Sequence, residues 1–185
     1  MPFRGPASAS PARRNRGNVH KDELRQLLID CAAERLAILL RHEAAARVVS
    51  HYDFNNTYQY VIAREETHVQ WLQDALAEFG LALPGAASAL PVPEAPKGKK
   101  LQPSAFKAIL GEDARTLRGF VERWRPRIEA MTQARHRTMI NVVLGESLEH
   151  ARLFDQGAGG DEDLLGRRTS LAERVGSVLP SRWME

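Results

Sequence analysis

Residues 57–80 read Thr-Tyr-Gln-Tyr-Val-Ile-Ala-Arg-Glu-Glu-Thr-His-Val-Gln-Trp-Leu-Gln-Asp-Ala-Leu-Ala-Glu-Phe-Gly, and this stretch decides the fold class. Steps of three and four pick out Tyr58, Val61, Glu65, His68, Leu72, Ala75 and Phe79, an apolar and aromatic seam at helical spacing. Gly80 follows, where a helix commonly stops. Glu65 and His68 are the exceptions on the seam, and their spacing stacks both side chains on one face in mid-helix. An ionised carboxylate on a core-facing seam is costly unless something compensates it. A metal ion bound by carboxylate oxygen and imidazole nitrogen does so. A Glu–His hydrogen bond in a partly wet interior does so too, and on this helix alone the two readings stand level.

Working outward, residues 19 to 50 are rich in Leu, Ala, Glu and Arg without Gly or Pro and predict a long first helix. A turn is expected around Asp53–Asn56, with Asn56 or Thr57 capping the helix that carries the seam. Residues 81–103 contain Pro84, Pro91, Pro93, Pro96 and Pro103 and cannot be helical. A connection of that length suits a bundle in which the second and third helices run parallel, so that the chain must cross its full length between them. Ser104 can cap a third helix reaching about Trp124. Pro126 either kinks it or opens the fourth, which runs to Gln156 before Gly157. The expected domain is thus an all-α four-helix bundle over residues 19–157. A disordered basic tail (1–18) precedes it, and a C-terminal tail (158–185) follows. Leu171, Val175, Val178 and Leu179 predict a short amphipathic helix in that tail, behind a capping box at Ser170 and Glu173.

The other helices repeat the anomaly. Leu24, Leu27, Cys31, Glu34 and Ile38 form a first-helix seam interrupted by Glu34. Met139, Val142, Glu146, Glu149 and Leu153 form a fourth-helix seam with two carboxylates, and His150 lies one turn beyond Glu146. On the third helix, Phe106, Leu110, Asp113, Leu117, Phe120 and Trp124 put Asp113 inside, with the longer Glu112 beside it. Each half of the chain therefore offers one lone carboxylate and one clustered motif. Two such hairpins facing each other would build a six-ligand, two-metal cage.

This arrangement resembles the ferritin-like superfamily, in which two helices give one Glu each and two give Glu-x-x-His. Within it the chain most resembles the rubrerythrin branch, over about residues 19 to 157. Ala33-Glu34-Arg35 resembles the first-helix ligand segment, Glu65-Glu66-Thr67-His68 the second, and Glu146-Ser147-Leu148-Glu149-His150 the fourth-helix Glu-x-x-Glu-His. The third helix departs from the pattern: Arg115 follows Glu112 and Thr116 follows Asp113 where rubrerythrins carry Glu-x-x-Glu. The resemblance implies two iron ions, with manganese or zinc as substitutes, and reduction of peroxide or dioxygen coupled to Fe(II) oxidation, with an unknown electron donor. Glu65 and Glu146 would bridge, His68 and His150 (or Glu149) would be terminal ligands, and Glu34 and Asp113 (or Glu112) outer carboxylates. Two other functions fit the same fold: an oxygenase or hydroxylase, and a non-catalytic interaction or cargo protein.

Composition narrows the remaining classes. With one cysteine, Cys31, among 185 residues, an intramolecular disulfide framework, a zinc ribbon and a four-cysteine iron centre are excluded. No apolar run is long enough for a membrane span, and a cytoplasmic location is expected. The net charge of +3 is modest and owes much to Arg4, Arg13, Arg14 and Arg16; nucleic-acid binding is not expected from so small a basic arm. Side-by-side homodimers are expected of such bundles. Tyr58 and Trp71 read as packing residues, while His42, His51, His136 and the Lys97, Lys99, Lys100 run read as solvated.

Overall fold

A computed structural model of the chain describes residues 11–87, 90, 91 and 103–166. Four helices account for most of them: α1 (Pro11–Val48), α2 (Tyr52–Ala77), α3 (Pro103–Glu129) and α4 (Ala134–Gly159). There is no strand among the described residues, and no described helix is long and apolar enough to cross a membrane. Residues 1–10 of the expected basic tail (1–18), the C-terminal stripe at 171–179 and the lysine run at 97–100 lie outside the described residues, while residues 11–18, expected to be disordered, are helical.

Helix boundaries follow local chemistry. α1 begins at Pro11 rather than near residue 19, since proline at a first helical position loses no hydrogen bond. The turn after α1 is tighter than expected. His51, extended at φ −69° and ψ 124°, is the N-cap of α2, and Asn55 reaches back from within α2 to donate its amide to the carbonyls of Ala46 (2.7 Å) and Val49 (3.0 Å). Asn55 therefore ends α1, and neither Asn56 nor Thr57 caps α2. Gly80 (φ 70°) and Gly160 (φ 111°) terminate α2 and α4 in the left-handed conformation that glycine adopts without strain. In each case a backbone pair closes the turn: Gly80 to Ala77 and Leu81 to Leu76, Gly160 to Gly157 and Asp161 to Gln156. Pro126 lies inside α3 and does not open α4.

α1 packs chiefly on α2 and α3 on α4, giving two hairpins. The hairpins meet along antiparallel seams. Asp30 pairs with Arg127 and Arg41 with Asp113 between α1 and α3, while Arg64 pairs with Glu146 and Glu78 with Arg135 between α2 and α4. The apolar core runs through Leu28, Ile38, Val61, Leu72, Leu117, Phe120, Trp124, Ile140, Val143 and Phe154. Along α1 a continuous buried line runs through Leu24, Leu28, Cys31, Arg35, Ile38, His42 and Ala45. This is a seam rotated by one residue from the expected one at two places, 28 and 35. The rotation puts a guanidinium where a carboxylate was expected.

Candidate functional site

The middle of the bundle is polar. Arg35, Arg41, His42, Glu65, His68, Asp113 and His150 are all buried there, amid the apolar residues above. α1 supplies both guanidiniums and His42, α2 supplies Glu65, His68 and Tyr58, α3 supplies Asp113, and α4 supplies Glu146 and His150.

Glu65, with no solvent exposure, accepts from Arg35 Nη2 at 2.9 Å through one oxygen and from His42 Nδ1 at 2.8 Å through the other. Burial by itself pushes the Glu65 carboxyl up, but the charges of His42 and Arg35 and the His42 hydrogen bond outweigh it, bringing its pKa down to about 2. Asp113 accepts from Arg41 Nε at 2.5 Å and from the Tyr58 hydroxyl. The other nitrogen of His42 faces Asp113 at 3.9 Å, so this ring stands between the two buried carboxylates. Burial, then the neighbouring Asp113, hold the Tyr58 phenol well above its ordinary range. Arg35 also lies over the Phe120 ring, 5.6 Å from its centroid.

The tautomer of His68 follows from its partners. Arg35 can only donate, so His68 Nδ1, 3.2 Å from Arg35 Nη2, accepts. Nε2 then carries the proton and donates to Glu146 at 2.9 Å. Burial and the Arg35 charge lower the His68 pKa to about 4 against the pull of Glu146. His150 stacks near His68, with ring centroids 6.3 Å apart. Burial is the main cause of its pKa of about 4; Glu65 opposes the shift, and Arg35 and His68 add to it. Both imidazoles are neutral at pH 7. Glu146 is held by Arg64 through two bonds, at 2.5 and 3.0 Å, and the Arg64 bonds, then the His68 bond, lower its pKa against partial burial. A surface cleft of about 750 Å³ lined by Tyr60, Arg64, Glu146, His150 and Arg152 opens at this end of the network.

The expected two-metal donor set is only partly assembled. Glu65, His68, Glu146 and His150 come together between α2 and α4. Asp113 is buried as expected, but two turns away along the bundle, with Arg41. Glu34 points into the α1/α3 groove, where it accepts from the Trp124 indole at 2.7 Å and pairs with Arg123. Glu112 and Glu149 are exposed and pair with Arg115 and Arg152 one turn along their own helices. Among the described residues, three ligand atoms converge within 4.8 Å of one another at His51, Asp53 and Glu162, and not in the core.

A metal pair does not fit this arrangement. Arg35 and Arg41 already balance Glu65 and Asp113, charge for charge. Both oxygens of Glu65 and both nitrogens of His68 are committed to hydrogen bonds. The guanidinium of Arg35 sits where a cation bound by Glu65 and His68 would have to lie.

Three expectations are corrected. His42 and His136 are buried, not solvated, and His51 is half-buried. His42 continues the α1 seam one turn past Ile38. Arg35, Arg41 and Arg64 carry much of the site and were not anticipated. The available signal was phase: Leu28, Cys31, Arg35, Ile38, His42 and Ala45 step by four and three without a break. Compared with known proteins, the chain matches no family model, no characterised protein and no solved structure.

Proposed function

We propose that this chain is a ferritin-like bundle acting as a binding or assembly protein, in which arginine balances the core charge in place of metal. The fold assignment rests on helix direction. α1 runs antiparallel to both α2 and α3, and α4 antiparallel to α2 and α3, so α2 and α3 run the same way, in the up-down-down-up order of that superfamily. One observation carries the functional reading: Arg35, fully buried, bonded to Glu65 and against His68. A binding role falls to the cleft between α2 and α4, where half-exposed Tyr60 stands beside Arg64 and Arg152. Tyrosine and arginine are the side chains that dominate protein contacts.

A second reading, metal-dependent reduction of peroxide or dioxygen, is favoured by His68 and His150. They are neutral, adjacent and flanked by Glu65 and Glu146, the states in which imidazole and carboxylate bind iron. For that reading Arg35 would have to leave the core.

Stability of metal-free protein separates the two. If Glu65 were a metal ligand lacking its ion, Glu65→Ala would leave the chelated protein as stable or more so. If Glu65 balances Arg35, its removal strands a buried charge at a cost of about 3–5 kcal/mol, on the order of 10 °C in melting temperature for a chain of this size. We expect that loss in EDTA-treated protein. We also expect no near-ultraviolet band of an oxo-bridged ferric pair after anaerobic Fe(II) loading and reoxidation. Unchanged melting of the variant together with that band would overturn the reading.

A further inference from the structure

We propose that the chain pairs with a second copy of itself through the outer face shared by α3 and α4, about a two-fold axis perpendicular to the helices. The observation that carries this is a row of charges. Arg118, Glu122, Arg125 and Glu129 step by four, three and four along α3, so their side chains share one edge of that helix. Arg118 pairs with Asp155 of α4, which puts the edge beside α4. Glu122, Arg125 and Glu129 are exposed and have no ion-pair partner among the described residues. The row is symmetric in spacing and alternates in sign. Laid antiparallel against a second copy, every charge meets its opposite: Arg118 faces Glu129 of the other chain, and Glu122 faces Arg125. Laid parallel, the same rows would set like against like. A two-fold interface demands this self-complementarity, in which residue i meets j and j meets i.

α4 carries a second row with the same spacing. Asn141, Gly145, Leu148 and Arg152 are all exposed, and Arg152 stands one turn before Asp155, on the side of α4 that faces α3. Leu148 is a large apolar side chain left 39 % exposed. In the antiparallel arrangement it faces Gly145 of the other copy, where an added Cβ would meet nothing within 4 Å, so the leucine has room to settle. Asn141 faces Arg152 across the same axis. The two rows also lie level. Arg118 reaches Asp155, and Gly111 lies against the Ala158 side chain. Counting along the antiparallel helices from those contacts puts the midpoint of the α3 row opposite about residues 145–150 of α4, which contain the midpoint of the α4 row. One axis therefore serves both helices. Exposed ion pairs add little affinity singly; here they fix register and partner, while Leu148 supplies apolar burial.

The test is the mass of the full chain by sedimentation over micromolar concentrations, where we expect a dimer. Glu122→Arg and Arg125→Glu each bring like charges together at two places across the axis, and each should raise the dissociation constant by at least about tenfold. Mixed in equal amounts, the two variants restore opposite charges at both places and should form a heterodimer as tightly as the parent forms its dimer. A parent that stays monomeric overturns the proposal. So does a dimer whose affinity neither variant changes, which would place the contact on another face, and so does a mixture of the variants that fails to pair. Both positions are exposed, so each variant should keep the helical circular dichroism of the parent. The proposal goes beyond the reading above and does not rest on it, since none of these side chains belongs to the core network. Glu65→Ala reports on that network and the surface variants on this face, so either reading can fail alone.

Discussion

A buried arginine is an unusual residue to find at the centre of a helical bundle, and its neighbours explain how it is held there. Arg35 is stabilised by Glu65, by the acceptor face of His68 and by the Phe120 ring. This same guanidinium, together with burial, keeps His68 and His150 neutral. The consequence is a definite pH response. The ordinary histidine value is 6.5 and both residues titrate near 4 in the folded chain, so between those values the unfolded chain binds more protons and stability falls as pH falls. Below 4.5, the ordinary value for its carboxyl, the contribution of Glu65 is lost in turn as pH drops toward its folded value of about 2. Urea midpoints measured from pH 7 to pH 3 should therefore decline through the 6.5-to-4 window. His68→Gln should flatten part of that decline, and a midpoint constant from pH 7 to pH 4.5 would contradict the picture. Little of this was legible in the sequence. Arginine at position 35 reads as a solvent-facing residue beside a buried Glu34, because a guanidinium carries no compositional mark of burial. One residue of helical phase separates the two assignments; the run through Leu28, Cys31, Arg35, Ile38, His42 and Ala45 favours Arg35, and the partner carboxylate Glu65 on another helix settles it.

At the scale of elements, the sequence was far more informative. All four helices, the seams of α2 and α3, and the glycine stop at the end of α2 were readable, because apolar periodicity and glycine act locally; α4 runs past the expected stop at Gly157 and turns at Gly160. Pro126 was not decidable, since proline is compatible with a helix's first turn and also with a break inside one. The glycines of α4 show how elements meet. Gly157 lies where α4 passes closest to its neighbours: an added Cβ would come within 3.0 Å of the Leu110 and Leu164 methyls and 3.5 Å of Phe54. Gly145, on the same helix, has nothing within 4 Å of that position. Replacing glycine by alanine gains about 1 kcal/mol of helix propensity, while overpacking costs about 1–3 kcal/mol. Gly145→Ala should therefore raise the denaturation midpoint and Gly157→Ala should lower it. If both variants move in the same direction, the close approach at Gly157 is not what limits packing there.

The whole molecule is held by charge across helices as well as by its apolar core. Every helix contributes to the central network: α1 through Arg35, Arg41 and His42, α2 through Tyr58, Glu65 and His68, α3 through Asp113, α4 through Glu146. The sequence placed Glu65, His68, Asp113 and Glu146 inward but assigned them to metals, since the spacing of Glu65, His68, Glu146 and His150 is the same whether the compensating charge is an ion or an arginine. That difference has a kinetic face. If α3 swings away, Arg41 is left in the interior without Asp113; if α1 does, Glu65 loses both of its donors. None of α1, α2 and α3 can detach alone without stranding a buried charge on another, and a stranded buried charge costs more than most local openings. Hydrogen–deuterium exchange should accordingly find the slowest amides in the midsections of α1, α2 and α3, sharing one opening free energy that equals the global one. A hairpin whose amides exchanged early as a group would show that the two halves fold apart and lock together late.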